Sequence, residues 1–155
     1  MITAHLPSGY IAYRALKPPD PLVLWACLIG AVFPDFDLLW FFLIDNQSIH
    51  HHRYWVHAPG FWLAVSLLVA PVLWQVGGRI RFAGFAFLGA WFLHLCLDSI
   101  AGSIMWLWPF SDQFYQLTTV QPTHSHYLLS FLAHWSFTVE ILIWLFALML
   151  LFKKS

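Results

Sequence analysis

The sequence is poor in charge. Of its 155 residues only 9% are Asp, Glu, Lys or Arg, against 61% hydrophobic and 19% aromatic. Soluble domains carry about 25% charged and about 45–50% apolar residues, so the composition excludes an ordinary water-solvated domain and points to a chain solvated by lipid. The mean hydropathy of +0.72 agrees. Net charge is zero, which removes the broad basic field that would speak for nucleic acid. Cysteine is scarce: Cys27 and Cys96 lie inside apolar runs with no C-x-x-C spacing, and read as small core residues. The first residues lack the basic start, long apolar stretch and small-residue cleavage site of a secretory signal, so the chain is expected to insert through its own helices. The length suits one domain, a single membrane-embedded helical unit over 1–155.

What is present is a set of long apolar runs. A membrane span needs about 20 mostly apolar residues, and four stretches qualify: Pro21 to Ile44, Ala58 to Val76, Phe82 to Trp108 and Tyr127 to Phe152. Between them, Lys17-Pro18-Pro19-Asp20-Pro21 stops any N-terminal helix, because proline disfavours a helical residue before it. Asp45 to His57 is a polar, His-rich loop. Gly77-Gly78-Arg79-Ile80-Arg81 is a short basic turn, and Pro109 to His126 is polar without Lys or Arg. Arg14 and Lys17, Arg79 and Arg81, and Lys153 and Lys154 fall on one side if all four stretches cross. The positive-inside rule then puts both termini in the cytoplasm. Trp55, Trp74, Trp106, Trp108 and Tyr127 lie near span ends, as interfacial anchors do. Pro34 should kink or break the first span, a break tolerated at membrane depth only where protein or a watery cavity covers it.

The chemistry lies in acids at the wrong depth. An aspartate at a span centre costs ~2.5–3.5 kcal/mol on insertion scales, yet Asp35, Asp37 and Asp98 all sit in apolar runs. They should face inward and have a partner. His94 and Asp98 are four residues apart and share a helix face; they suit zinc ligation, or else a buried His–Asp hydrogen bond. Pro34-Asp35-Phe36-Asp37 puts two acids near a helix start, where negative charge is favoured, so helix capping competes with ligation. His50-His51-His52-Arg53 with His57 forms a loop that can fold onto the bundle or stay solvated. Arg53 there suits a phosphate oxygen. His5 has no chemical claim of its own. Together His5, Asp35, Asp37, His52, His57, His94 and Asp98 offer four imidazoles and three carboxylates. That set suits one divalent ion with acid/base groups to spare, or two about 3.5–4 Å apart, a common arrangement for phosphoester hydrolysis.

Outside this set, His124 and His126 either cover the site or belong to an exposed loop. His134 and Glu140 point to different faces of a straight helix. Glu140 either bonds Ser136 or backs the site as a further carboxylate.

Four pieces in order, Thr3-Ala4-His5, Phe33-Pro34-Asp35-Phe36-Asp37, His52-Arg53 with His57, and His94 to Asp98 with Trp108-Pro109 downstream, resemble the YdjM-like family of bacterial inner-membrane proteins, metal-dependent hydrolases described as LexA-binding. The resemblance covers the chain from His5 to about Phe110. Two departures stand out. Tyr54, Val56 and Ala58 occupy the glycine, threonine and serine positions of the family's His-Arg-Gly-x-Thr-His-Ser, and Leu38 stands where the family often has histidine. The metal set is kept while the substrate pocket differs. More distantly, His-x-x-x-Asp is similar to zinc-dependent phospholipase C and its nuclease relatives, an analogy that does not fix function.

The expectation is therefore an all-α polytopic membrane protein of about four transmembrane helices plus a short N-terminal helix, in the bacterial inner membrane. The leading function is hydrolysis of a phosphoester, small or lipid, with one or two divalent ions, zinc first and manganese or magnesium as alternatives. Asp37 would be the general base and Arg53 would hold the substrate anion. A transporter or ion-binding protein using the same cluster without catalysis is the first rival. A regulatory scaffold with a LexA-type partner, implied by the resemblance alone, is the second.

Overall fold

The computed structural model describes residues 3–16 and 20–153. Lys17, Pro18, Pro19, Lys154 and the side chain of Tyr127 lie outside the described residues. The described chain is helical, with helices α1 (His5–Leu16), α2 (Pro21–Val32), α3 (Asp37–Leu43), α4 (Pro59–Val76), α5 (Gly78–Ala101), α6 (Tyr127–Leu132) and α7 (Trp135–Phe152). Three of these, α4, α5 and α7, are long and apolar enough to cross a membrane, and α2 with α3 makes a fourth if the bent pair is one span. Large apolar side chains such as Leu67, Leu68, Trp74, Leu142 and Met149 are exposed along α4 and α7, the surface expected where lipid is the solvent. The protein is an all-α polytopic membrane protein.

Local chemistry sets the boundaries. Asp20 caps α2, its carboxylate accepting from the Leu22 N–H at 2.8 Å, with Pro21 in the first turn. Arg79 at the start of α5 forks onto the same carboxylate at 2.6 and 2.7 Å and holds it below the usual carboxylate range. The starts of α2 and α5 are thereby tied together. Pro34 ends α2, as proline should. A 3-10 turn over Pro34–Phe36 follows, and α3 leaves at 55° to α2. Gly77 and Gly78, at φ 69° and 56°, make the tight turn from α4 into α5, a conformation that glycine adopts without strain.

Two expected spans are shorter and more broken than their hydropathy. The run Phe82 to Trp108 is helical only to Ala101. Beyond Gly102 the chain is extended and folds back, with Leu117 and Thr118 N–H groups bonding the Ser99 and Ile100 carbonyls at 2.7 and 2.9 Å. Those carbonyls are ones the helix end leaves open, so the returning loop replaces the last turns. The run Tyr127 to Phe152 breaks between α6 and α7. There His134 caps α7, its Nδ1 accepting from the Ser136 N–H.

α5 is the central helix, packed against α1, α2 and α4. Its contact with α2 is made of small residues: Val23, Cys27 and Ala31 on one side, Ala83, Ala86 and Ala90 on the other. Small residues let membrane helices approach closely. At Gly30 an added Cβ would clash with the Phe87 backbone, and at Gly9 it would meet the Ala31 Cβ and Cys27 carbonyl at 2.7 Å. A second cluster, Val56, Leu88, Trp91 and Leu95, seats the 51–57 segment on α5. There the Trp91 indole N–H donates to the Val56 carbonyl at 2.9 Å.

The direction of α1 decides the site. Arg14, near its C-terminal end, bonds the Leu150 carbonyl near the end of α7. Thr3, just before its start, bonds Glu140 near the beginning of α7. α1 and α7 are therefore parallel, and α1, about 18 Å long by its helical rise, starts inside the bundle and runs toward the basic end. This resolves how His5 and the 51–57 segment reach one place.

Gly30→Ala should cost about 1–3 kcal/mol through overpacking and lower the thermal midpoint in detergent. Gly89→Ala, where a Cβ meets nothing within 4 Å, should leave it unchanged or raised. Equal effects from the two would contradict the close α2–α5 approach.

Candidate metal centre

Asp98, in the last turn of α5 and 1% exposed, is the hub. Its Oδ1 lies 3.1 Å from His5 Nε2. Its Oδ2 lies 3.0 Å from His94 Nε2, 3.4 Å from His52 Nε2 and 3.8 Å from His57 Nε2. The four imidazoles come from the start of α1, the two 3-10 turns His51–Arg53 and Trp55–His57, and α5 itself. All four are 5% exposed or less. His5 stacks on His94 at 3.8 Å between centroids.

The far sides of two rings fix which nitrogen faces the hub. His94 Nδ1 lies 2.8 Å from the Ala31 carbonyl and His52 Nδ1 2.9 Å from the Ser103 carbonyl. Carbonyls only accept, so each Nδ1 carries a hydrogen and donates. His57 Nδ1 faces the Asp37 carboxylate at 2.7 Å. A neutral ring then presents a bare Nε2 lone pair inward, and a protonated ring donates from Nε2 to the carboxylate. Burial holds His57 well below the usual imidazole range, so its ring is neutral. The consequence is electrostatic: His94 Nε2 and His57 Nε2 are 3.3 Å apart beside a carboxylate oxygen, where two bare lone pairs would repel. That juxtaposition is relieved by a proton or a cation between them.

Asp35 completes the set. It lies in the 3-10 turn at the α2–α3 bend, its Oδ1 3.8 Å from His94 Nε2 and 3.9 Å from His57 Nε2. Asp35 Oδ1, His57 Nε2 and His94 Nε2 lie 3.3 to 3.9 Å apart, and Asp98 Oδ2 lies 3.0 Å from His94 Nε2 and 3.8 Å from His57 Nε2. A tetrahedral ion with ligands at about 2.0–2.1 Å has edges of about 3.3 Å, and Asp35, His57 and His94 form one group of ligand atoms, all within 4.8 Å of one another, that could hold an ion. The Asp35 side chain is 30% exposed against 2% for Asp98; the centre opens at the bend.

Asp37 behaves differently from the reading of the sequence. At the start of α3, its carboxylate sits behind His57 and joins none of the groups of mutually close ligand atoms among the described residues. Arg53 is exposed, its guanidinium 5.8 Å from the Phe114 ring centroid. His124 and His126 are exposed too; His126 caps α6, and His124 Nδ1 lies 3.0 Å from the Thr123 hydroxyl.

His51 is a donor that sequence reasoning passed over. Its nitrogen falls within 4.8 Å of ligand atoms of His52 and His57, and its buried Nδ1 has no hydrogen-bond partner. Burial and the neighbouring imidazoles push it down to about 3, so the ring is neutral and its lone pair is available. The run of three histidines was the available signal. Nothing in it distinguished the middle ring from a solvated one.

The fold and this cluster define a class: a polytopic helical membrane protein with buried His/Asp groups that could hold a metal ion. Within that class the chain belongs to the YdjM inner membrane protein family, whose model matches residues 1–154. No curated protein and no solved structure matches the chain.

Replacing Asp98 by Ala strands four imidazoles around a buried void. Removing one partner of a buried charged group costs about 3–5 kcal/mol, and Asp98→Ala should show this as a lowered melting temperature in chelated protein. Asp35→Ala, at the open edge, should cost less than half as much. A milder effect at Asp98 than at Asp35 would refute its place as hub.

Proposed function

We propose that the protein is a metal-dependent hydrolase of the inner membrane acting on a phosphoester, with a lipid phosphoester the best match to a site set among membrane helices. The observation that carries it is the convergence of imidazole nitrogens, from His57 and His94 and from His52, on the carboxylates of Asp35 and Asp98. One divalent ion, zinc by its preference for imidazole and carboxylate donors, would be held by Asp35, His57, His94 and Asp98. His5, His51 and His52 supply donors for a second. Bound there, such an ion acidifies water and polarises a phosphoryl oxygen.

The chain's own groups have separable roles in this reading. Asp37 holds the His57 ring so that its Nε2 faces inward, the carboxylate–histidine pairing that tunes metal ligands. It replaces the general-base role expected of Asp37. Asp35, partly open, would be the ligand at the accessible edge, where water and substrate enter. Arg53, on the rim beside His52, receives the phosphate anion through its paired N–H groups. Hydrolysis adds water across the P–O ester bond, leaving the phosphate on one fragment and a hydroxyl on the other. Arg14, Arg79 and Lys153 gather at the end of the bundle opposite the centre. By the positive-inside rule that end faces the cytoplasm, so the centre opens in the outer half of the membrane.

Purified protein should contain bound divalent metal by elemental analysis and hydrolyse a generic phosphodiester or phospholipid in a chelator-sensitive way. The double variant His94→Ala, Asp98→Ala should lack both properties. Metal bound tightly without turnover on any phosphoester would favour the transport reading. Asp37→Asn separates the two roles of that residue. An orienting carboxylate predicts metal affinity lowered about 10–100-fold, whereas a general base predicts unchanged affinity and a lowered kcat.

A further inference from the structure

Glu140 is the only charged residue of α7, in its second turn, and it is fully buried. An ionisable group in an apolar span is expensive and marks a function or a partner. Its Oε2 accepts two hydrogen bonds from one residue, Thr3, from the backbone N–H at 2.8 Å and from the hydroxyl at 2.7 Å. Trp144, one turn further along the same face of α7, donates its indole N–H to the Thr3 hydroxyl at 3.2 Å.

Thr3 stands two residues before His5, the first residue of α1, whose Nε2 lies 3.1 Å from Asp98 Oδ1. First turns and chain ends fray unless tied down. At its other end α1 is tied to α7 through Arg14 and the Leu150 carbonyl. The Thr3 bonds tie the His5 end to α7 as well.

We propose that Glu140 is a positioning residue: it docks the Thr3 segment onto α7 and thereby sets His5 against Asp98. As a statement about His5 this stands on geometry alone; its effect on metal affinity rests on the metal reading above.

The test uses full-length protein in detergent. In chelated protein, carbethoxylation of histidines by diethyl pyrocarbonate is followed by mass spectrometry. His5 should be protected in the parent protein and in Glu140→Gln, which keeps the acceptor. In Glu140→Ala it should react roughly tenfold faster or more, as loss of a charge-assisted hydrogen bond implies, while His94 stays protected. Thr3→Val, which removes only the hydroxyl donor, should shift His5 the same way by less and covers the case in which Glu140→Ala fails to fold. In parallel, zinc affinity should fall in Glu140→Ala and in His5→Ala, and the double variant should be no weaker than His5→Ala alone, as for two residues acting through one contact. His5 still protected in Glu140→Ala, His94 exposed together with His5, or additive zinc losses would each overturn the proposal. Absence of zinc binding in the parent protein, with His5 released on schedule, would sink the metal reading and leave the docking role standing.

Discussion

The structure depends on one buried carboxylate that must satisfy four imidazoles at once. Asp98 has two oxygens, and His5, His52, His57 and His94 all bring Nε2 toward them. Two of those rings have their other nitrogen bonded, His94 to the Ala31 carbonyl and His52 to the Ser103 carbonyl, and His57 Nδ1 lies 2.7 Å from the Asp37 carboxylate. A ring fixed on one side cannot turn its other nitrogen away. The inward nitrogens are therefore forced together in a place of low dielectric, where unrelieved polar contacts are most costly. Protons shared with Asp98 relieve that crowding, and the same buried groups could hold a metal ion.

The rest of the fold can be understood as what brings those fixed rings to one point. Four segments distant in sequence must approach within a few ångströms, and the small-residue contacts of α1, α2 and α5 allow it. Gly9 lets α1 reach the Cys27 carbonyl, and Gly30 lets α2 lie on the Phe87 backbone. The same close approach carries the Ala31 carbonyl to His94 Nδ1, so helix packing and ring orientation are one event. On the other side Gly102 leaves room for the His52 ring, whose Cε1 would sit 2.6 Å from an added Cβ. The tryptophans contribute as donors as well as bulk: Trp91 and Trp106 bond the Val56 carbonyl and the Ser99 hydroxyl at 2.9 and 2.8 Å, holding the loops that frame the centre.

Much of this was legible in the sequence, for identifiable reasons. Acids in apolar runs cost free energy that only a partner offsets, so Asp35, Asp37 and Asp98 announced themselves, and His94 followed from helical spacing. Spans were legible as hydropathy but not as backbone. Ile104 to Trp108 is as apolar as a helix interior, yet the chain there pairs Ile104 with Tyr115 in an isolated bridge. Hydropathy does not register where backbone hydrogen bonds go. The place of Asp37 was hidden because two residues of spacing cannot say which side of an imidazole a carboxylate meets. The direction of α1 was hidden because it is set by contacts at both ends, Thr3 with Glu140 and Arg14 with Leu150, that no local pattern encodes.

The break at Pro34 explains why the centre is accessible at all. A straight helix through residues 21–44 would satisfy its own backbone and seal that side of the bundle. Interrupted, it gives up regular hydrogen bonding over Pro34–Phe36, and irregular backbone at membrane depth persists only against protein or a watery cavity. Here the interruption places Asp35 where its side chain touches both the buried imidazoles and the outside. Phe36 and Trp40 beside it are more than half exposed, so the opening is flanked by apolar surface of the kind lipid covers.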